Sequence, residues 1–255
     1  MSKPLRAGLP ILTSTAIDVE GTLAIFIHTK DAKKTHYVLT AAHVYKDLDK
    51  DIKVGVPPIP YPTTVTAVAA FHTVGGLEGD IGLVDVDQKY ARLCAIKGLD
   101  TRAANKDPKE GDPYDPFALD EGDLEDLANA KKTKVRKFGA KSGDTQATLT
   151  GYLDEITLQV GHEKPMKFTN VLEATWDKGI AFAEPGDSGC LWYLKVGSAI
   201  VPVGIHLASV DGKKSYATMI THCAERIEAN LKVGIQFCSE ASCGKACVAD
   251  LVWDN

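Results

Sequence analysis

The sequence predicts an all-β protein built from two antiparallel β-domains, followed by a late helix and a cysteine-containing tail. Short runs rich in Val, Ile, Thr, Tyr and Phe recur between turn residues, as antiparallel strands require. No helical periodicity links these runs, which disfavours a parallel α/β sheet. An acidic, proline-containing stretch divides the runs into two groups. The runs alone leave open whether each domain is a barrel or a sandwich.

The two predicted domains differ in their number of candidate strands. Residues 1–105 hold four candidates, at 22–28, 36–40, 64–71 and 81–86. Residues 133–232 hold six, at 133–139, 146–160, 168–175, 190–196, 199–206 and 215–220. Thr221 is expected to cap a helix that runs to about Lys232, because apolar residues recur there at helical spacing and Gly234 follows. Residues 233–255 form the predicted tail.

A connector that is first acidic and then basic is predicted between the domains, at residues 106–132. Residues 107–126 carry nine acidic residues and one lysine, a net charge of -8, so the rest of the chain sums to +3. Three prolines and like-charge crowding favour an exposed segment without regular structure. An acidic lid or docking strip is the functional alternative.

Composition limits the class of protein. The chain has 255 residues, 44% hydrophobic, with a formal net charge of -5, which suffices to bury a core without disulfides. A mild acidic excess argues against a nucleic-acid partner, since phosphate binding needs clustered Lys and Arg. No apolar run approaches about 18 residues, so no membrane association is expected. The first residues lack a signal-peptide core, which favours an intracellular location and leaves secretion as the alternative.

Three short motifs carry candidate chemistry. Residues 38–43 read VLTAAH and end in His43, residues 80–84 read DIGLV and begin with Asp80, and residues 186–189 read GDSG around Ser188. Each alone is weak, since a single histidine or aspartate at a strand end is commonly structural. Together they supply a base, an orienting acid and a nucleophile in the order His, Asp, Ser.

These motifs, in this order and spacing, resemble the trypsin/chymotrypsin-like serine protease superfamily over residues 15–232. The resemblance is nearer to intracellular bacterial, viral-type and fungal relatives than to animal digestive trypsins. It implies two antiparallel six-stranded β-barrels. Residues 135–151 look like the hairpin that opens the second barrel, and residues 203–206 (VGIH) look like the strand that lines the substrate cleft.

The resemblance implies a serine endopeptidase that acts on polypeptides through an acyl-enzyme intermediate and needs no cofactor or metal. Ser188 would attack the peptide carbonyl, His43 would transfer the proton, and Asp80 would orient the imidazole. The N–H groups of Gly186 and Ser188 would form the oxyanion hole. Asp85 and Asp87 compete with Asp80 on proximity alone, but Asp80 matches the family motif.

Two departures from the family pattern bear on activity. Val44 stands where many animal enzymes have a disulfide-bonded cysteine, and no Ile-Val-Gly-Gly-like sequence near the start could supply a new amino terminus for Asp187. The oxyanion loop is therefore expected to be held by other contacts, or ordered by a protein activator or substrate. The alternative function is an inactive or partner-activated protease-fold binding protein.

Specificity is predicted to depend on Phe182, Ala183, His206 and Leu207. In relatives that cut after Glu or Gln, a cleft histidine contacts that residue, and His206 occupies the matching place. Those relatives usually have Ser or Thr where this chain has Ala183. A preference for small or apolar residues stays equally open, as does a purely structural His206. No acidic residue stands at the pocket base, which disfavours Lys or Arg.

The six cysteines do not fix the redox compartment. Cys190, two residues after the serine, is expected to be a buried small apolar residue. Cys238, Cys243 and Cys247 cluster in the tail without a paired Cys-x-x-Cys signature. A tail disulfide is therefore more plausible than a zinc site.

Overall fold

Nine short strands make up the N-terminal half of the chain. The structure is a computed structural model that describes residues 5–13, 21–44, 51–54, 64–71, 80–85, 92–96, 119–160, 165–176, 179, 181–196 and 199–237. The strands are β1 (Leu5–Ala7), β2 (Pro10–Thr13), β3 (Gly21–Thr22), β4 (Phe26–Thr29), β5 (His36–Thr40), β6 (Asp51–Val54), β7 (Thr64–Phe71), β8 (Ile81–Asp85) and β9 (Arg92–Ile96). The strand predicted at residues 22–28 is interrupted, since β3 ends at Thr22 and β4 begins at Phe26.

A nine-residue helix, α1 (Glu121–Asn129), lies inside the segment predicted to be an irregular connector. That prediction is wrong for these residues, because a capping box outweighs the charge crowding. The Asp123 N–H donates to Asp120 Oδ1 at 2.8 Å, and the Asp120 N–H donates to Asp123 Oδ2 at 3.2 Å. Leu124 and Ala128 are buried against the C-terminal half, which anchors the helix. Residues 106–118 of the predicted connector lie outside the described residues.

Six strands of the C-terminal half close into an antiparallel barrel, as the resemblance implies. They are β10 (Lys134–Gly139), β11 (Gly143–Leu158), β12 (Met166–Thr175), β13 (Leu191–Val196), β14 (Ala199–Val210) and β15 (Lys214–Met219). The order around the barrel is β10-β11-β12-β15-β14-β13. Alternate residues point inward, so Leu149, Trp192 and Ala217 are buried together in one apolar cluster.

The last helix, α2 (Ile220–Leu231), begins two residues earlier than predicted, since Met219 and not Thr221 is its N-cap. No side chain caps it, and it ends at Lys232 in the left-handed conformation. Ile220 and Ile227 of α2 pack in one cluster with Leu39 of β5. The same cluster contains Leu191, Tyr193 and Ile205, so the helix packs against residues of both halves. Among the described residues, no helix is long and apolar enough to span a membrane.

The N-terminal half does not show the closed six-stranded barrel that the resemblance implies. Its described strands form one eight-stranded sheet in the order β16-β4-β5-β8-β7-β6-β2-β3, where β16 is Ile235–Phe237. A strand from the predicted tail thus completes the sheet beside β4, with Gln236 opposite His28. The described strands β1 and β9 form a separate parallel pair. Residues 238–255, with the tail cysteines, lie outside the described residues.

Candidate active site

His43 and Asp80 are brought into contact by the pairing of β5 with β8. His43 lies in a short 3-10 turn after β5, and Asp80 directly precedes β8, whose Gly82 pairs with Thr40. The His43 backbone N–H donates to Asp80 Oδ1 at 2.8 Å, and the His43 Nδ1 is hydrogen-bonded to Asp80 Oδ2. Asp80 is only 2% exposed. Because a carboxylate can only accept, this contact places the proton on Nδ1 and leaves Nε2 as a proton acceptor.

The GDSG loop packs directly against the turn that carries His43. Gly186 and Gly189 have φ angles of 102° and 83°, a region that favours glycine. A Cβ on Gly189 would lie 2.2 Å from Thr40 Oγ1 and 2.5 Å from the Ala41 nitrogen. Glycine at this position therefore lets the loop approach the residues just before His43. Ser188, between the two glycines, is partly exposed.

Asp187 anchors the same loop through a buried ion pair. Its Oδ2 lies 2.8 Å from Lys137 Nζ, and both side chains are fully buried. The Ser142 hydroxyl donates to Oδ2 at 2.6 Å, and the backbone N–H groups of Lys141 and Glu184 donate to the same carboxylate at 2.9 and 3.0 Å. Burial alone would raise the pKa of Asp187, but the Lys137 charge and these hydrogen bonds hold the pKa below its ordinary value. The cation that pairs with Asp187 is thus the ammonium group of an internal lysine, Lys137.

His206 lies in β14 at the junction of the loop and the barrel interior. Its backbone carbonyl accepts the Gly189 N–H at 2.9 Å, and its ring stacks on Trp192 with centroids 5.9 Å apart. Its Nδ1 is buried and has no partner among the described residues. Burial first, and then the charges of Lys137 and His43, lower the pKa of His206 to about 3. The imidazole is therefore neutral at physiological pH.

The other predicted specificity residues are mainly buried. Phe182 is fully buried, with its ring edge-on to Trp192 at a centroid distance of 5.1 Å. Ala183 is 7% exposed beside it. Leu207 is buried in a second apolar cluster of the barrel with Phe168. Their part in specificity stays a prediction.

One edge of β14 is open beside the loop. The pairing of β13 with β14 ends at Leu191 opposite Ile205, and residues 207–210 continue beyond it. Within the described part of the chain, residues 208–210 pair only with β15. An extended peptide could add as a strand along the free edge, next to Ser188.

The cysteines that the structure describes with their side chains are not reactive. Cys190 and Cys223 are free and fully buried, which agrees with the apolar role predicted for Cys190. Burial raises the pKa of the Cys190 thiol to about 12, so it stays protonated. No group of three His, Cys, Asp or Glu side chains that could hold a metal occurs among the described residues.

Sequence reasoning missed Lys137, although a signal for it was present. Residues 131–137 hold five positive charges directly after the acidic stretch, and Lys137 was counted among them although residues 133–139 were a predicted strand. The alternation of a strand, however, places Val135, Lys137 and Gly139 on the same inward face, and all three are buried. A Cβ on Gly139 would lie 2.1 Å from Asp187 Oδ1, so glycine there makes room for the carboxylate. A lysine at an inward position predicts a buried partner.

Comparison with known proteins agrees with this architecture. No protein-family model and no curated protein matches the chain. A glutamic acid-specific serine protease that uses a histidine triad in substrate binding is 15% identical, with a TM-score of 0.55, over 91% of this chain and 100% of that one. Thermobifida fusca protease A is 14% identical, with a TM-score of 0.53, over 92% and 100%. A Cellulomonas bogoriensis chymotrypsin is 12% identical, with a TM-score of 0.56, over 92% and 100%.

The chain therefore has the trypsin/chymotrypsin-like serine protease fold. Identities of 12 to 15% establish the fold alone. The activity of the site depends on its own side chains and not on the fold.

Proposed function

We propose that this chain is a serine endopeptidase with His43, Asp80 and Ser188 as its catalytic residues. The observation that carries the proposal is the buried Asp80 carboxylate on His43 Nδ1, in a turn that packs against the GDSG loop. Ser188 Oγ attacks the scissile carbonyl carbon while His43 Nε2 takes its proton. Nε2 then returns the proton to the leaving amine, and water hydrolyses the acyl-enzyme by the same route.

The oxyanion that develops in each step would be bound by the N–H groups of Gly186 and Ser188. Across the described residues, neither N–H donates to a backbone acceptor. Free donors held in a fixed loop are what an oxyanion hole requires. The Lys137–Asp187 pair supports a loop that is already ordered without an activating partner. This favours an active enzyme over a partner-activated binding protein.

The substrate would bind as a strand along the free edge of β14, which places its residue before the cut near His206. We propose a preference for Gln or Glu at that position. A neutral imidazole donates one hydrogen bond but carries no charge to attract a carboxylate. The neutral imidazole therefore supports a preference for the uncharged Gln over Glu. A small or apolar preference is the competing outcome.

A fluorophosphonate probe tests the activity. The wild-type protein is expected to be labelled covalently, and the Ser188→Ala variant is expected to remain unlabelled while keeping its melting temperature. A folded wild-type protein that resists labelling would contradict the proposal. A cleavage profile on a peptide library then tests the pocket, since cuts without enrichment of Gln or Glu would remove His206 from specificity.

A further inference from the structure

Thr22 of β3 is hydrogen-bonded to both sides of the nucleophile residue. Its backbone N–H donates to the Ser188 carbonyl at 2.8 Å, and its hydroxyl donates to the Gly186 carbonyl at 2.9 Å. The same hydroxyl accepts the Ala140 N–H at 3.0 Å, and the Thr22 carbonyl accepts the Thr40 hydroxyl at 2.9 Å. Thr22 is fully buried. One residue of the N-terminal half thus joins the loop, the β10–β11 turn and β5.

These contacts bracket the peptide unit that carries the Ser188 N–H. The Gly186 and Ser188 carbonyls belong to the peptide units on either side of it, and Thr22 holds both. The Asp187 carbonyl, which is in the same plane as the Ser188 N–H, accepts the Cys190 N–H at 2.9 Å. With all three successive carbonyls held, the direction of the Ser188 N–H is determined.

The two anchors of the loop act from opposite directions. The Lys137–Asp187 pair fixes the side chain between the two oxyanion donors, from within the C-terminal barrel. The Thr22 hydroxyl fixes the backbone of the loop, from the N-terminal half that also carries His43 and Asp80. Its position therefore ties the direction of the oxyanion donors to the half that holds the base.

We infer that Thr22 is a positioning residue whose hydroxyl, by holding the Gly186 carbonyl, aims the Ser188 N–H at the oxyanion of the transition state. The inference rests on the proposed endopeptidase function and adds a residue to it. The hydroxyl acts through the loop and touches no substrate. It therefore contributes to transition-state binding more than to substrate binding.

The test compares two hydroxyl-free variants with one that keeps the hydroxyl. Thr22→Val removes the hydroxyl at nearly constant volume, and Thr22→Ala removes it without placing a methyl group beside the Gly186 carbonyl. Thr22→Ser keeps it. Thr218→Val is the matched control, because Thr218 is also fully buried and its hydroxyl has no partner among the described residues. Each variant is assayed for kcat, KM, and inhibition by a peptide boronate and by the product peptide acid.

We expect Thr22→Val and Thr22→Ala to lower kcat about tenfold to hundredfold and to weaken boronate binding by a similar factor. The boronate forms a tetrahedral adduct on Ser188 and reports the oxyanion hole. KM and product inhibition should stay within about threefold, because ground-state contacts are unchanged. Thr22→Ser and Thr218→Val should resemble the wild type. A purely structural hydroxyl would lower only the melting temperature.

The possible results separate this inference from the proposed function. Wild-type kcat and boronate affinity in both hydroxyl-free variants overturn the inference and leave the endopeptidase intact. Equal losses in Thr22→Ser and Thr22→Val also overturn it, as does failure of both hydroxyl-free variants to fold. A wild-type protein that neither cleaves peptides nor reacts with the fluorophosphonate overturns the proposed function, and the inference with it.

Discussion

Asp80 and Asp187 are both buried carboxylates, but the first contacts an imidazole and the second contacts an ammonium group. Asp80 meets the imidazole of His43. Asp187 meets the ammonium of Lys137 inside the closed barrel. A buried charge is costly unless it is paired, so each carboxylate needs a partner. The proposed chemistry requires a mobile proton at the first site and a lasting charge at the second.

The two carboxylates also lie in different kinds of sheet, one closed and one open. Asp187 and Lys137 belong to a barrel that closes on itself. Asp80 directly precedes β8 of the eight-stranded sheet, which β16 from the chain's last described residues extends at one edge. The half that holds His43 and Asp80 is therefore assembled with a strand from the C-terminal segment.

Asp80→Asn breaks the first site and should have the largest effect. The asparagine amide has nearly the same shape but can donate to Nδ1, which would move the proton to Nε2 and leave no base. We expect kcat to fall about 10⁴-fold, with the melting temperature close to that of the wild type. The measurement is kcat on a cleaved peptide together with thermal unfolding. Activity within tenfold of the wild type would mean that Asp80 does not orient the base.

Lys137→Met breaks the second site and should affect both stability and turnover. Asp187 would become an unpaired buried charge, which costs on the order of 3 to 5 kcal/mol of unfolding free energy. The released loop should lower kcat about 10²- to 10³-fold, comparable to loss of one oxyanion donor. Denaturant unfolding and kcat on the folded fraction measure the two effects.

A double variant separates charge burial from loop position. Adding Asp187→Asn to Lys137→Met removes both charges, so part of the lost stability should return, while kcat should stay low because the anchor is still absent. Lys137→Arg keeps the charge and serves as the conservative control. If the double variant regains kcat along with stability, the ion pair serves only folding.

The sequence predicted the parts of this site that short local patterns encode. The motifs around His43, Asp80 and Ser188 identified the candidate catalytic residues, and β-rich runs bounded by turn residues identified the strands of the C-terminal barrel. Lys137 was assigned to a charged run, because a local net charge hides the inward position that strand alternation gives it. Thr22 was treated only as the start of a strand. Its hydrogen bonds reach residues up to 166 positions away in the chain, and such contacts leave no local sequence pattern.

Several described elements escaped prediction, namely the short strands β1, β2, β6 and β9, the α1 helix and the β16 strand. The last two escaped for opposite reasons. The α1 helix depends on a local capping box, Asp120 with Asp123, which the dense acidic charge around it obscured. The β16 strand has only three residues and no pattern of its own. It exists because the edge of β4 offers unpaired backbone groups, a long-range condition that a local reading of the sequence does not contain.

His206 is a third buried titratable group, close to the Lys137–Asp187 ion pair, and replacing it should have the smallest effect of the changes considered. Its pKa of about 3 in the folded protein lies below the value of about 6.5 expected when the chain is unfolded. Between these values the unfolded state binds a proton that the folded state does not, so stability falls as the pH drops. Above pH 7 neither state is protonated and the effect vanishes.

His206→Gln should therefore remove part of the acid sensitivity while changing stability little at pH 7.5. We expect the wild type to lose on the order of 2 kcal/mol more unfolding free energy than the variant between pH 7.5 and 4.5. Asp187 stays ionised over this range in both proteins, because its pKa is held below its ordinary value, so the difference between the two curves isolates the histidine. Parallel curves would show that His206 titrates over the same pH range in the folded and unfolded protein, and the argument from a neutral imidazole for Gln over Glu would then fail.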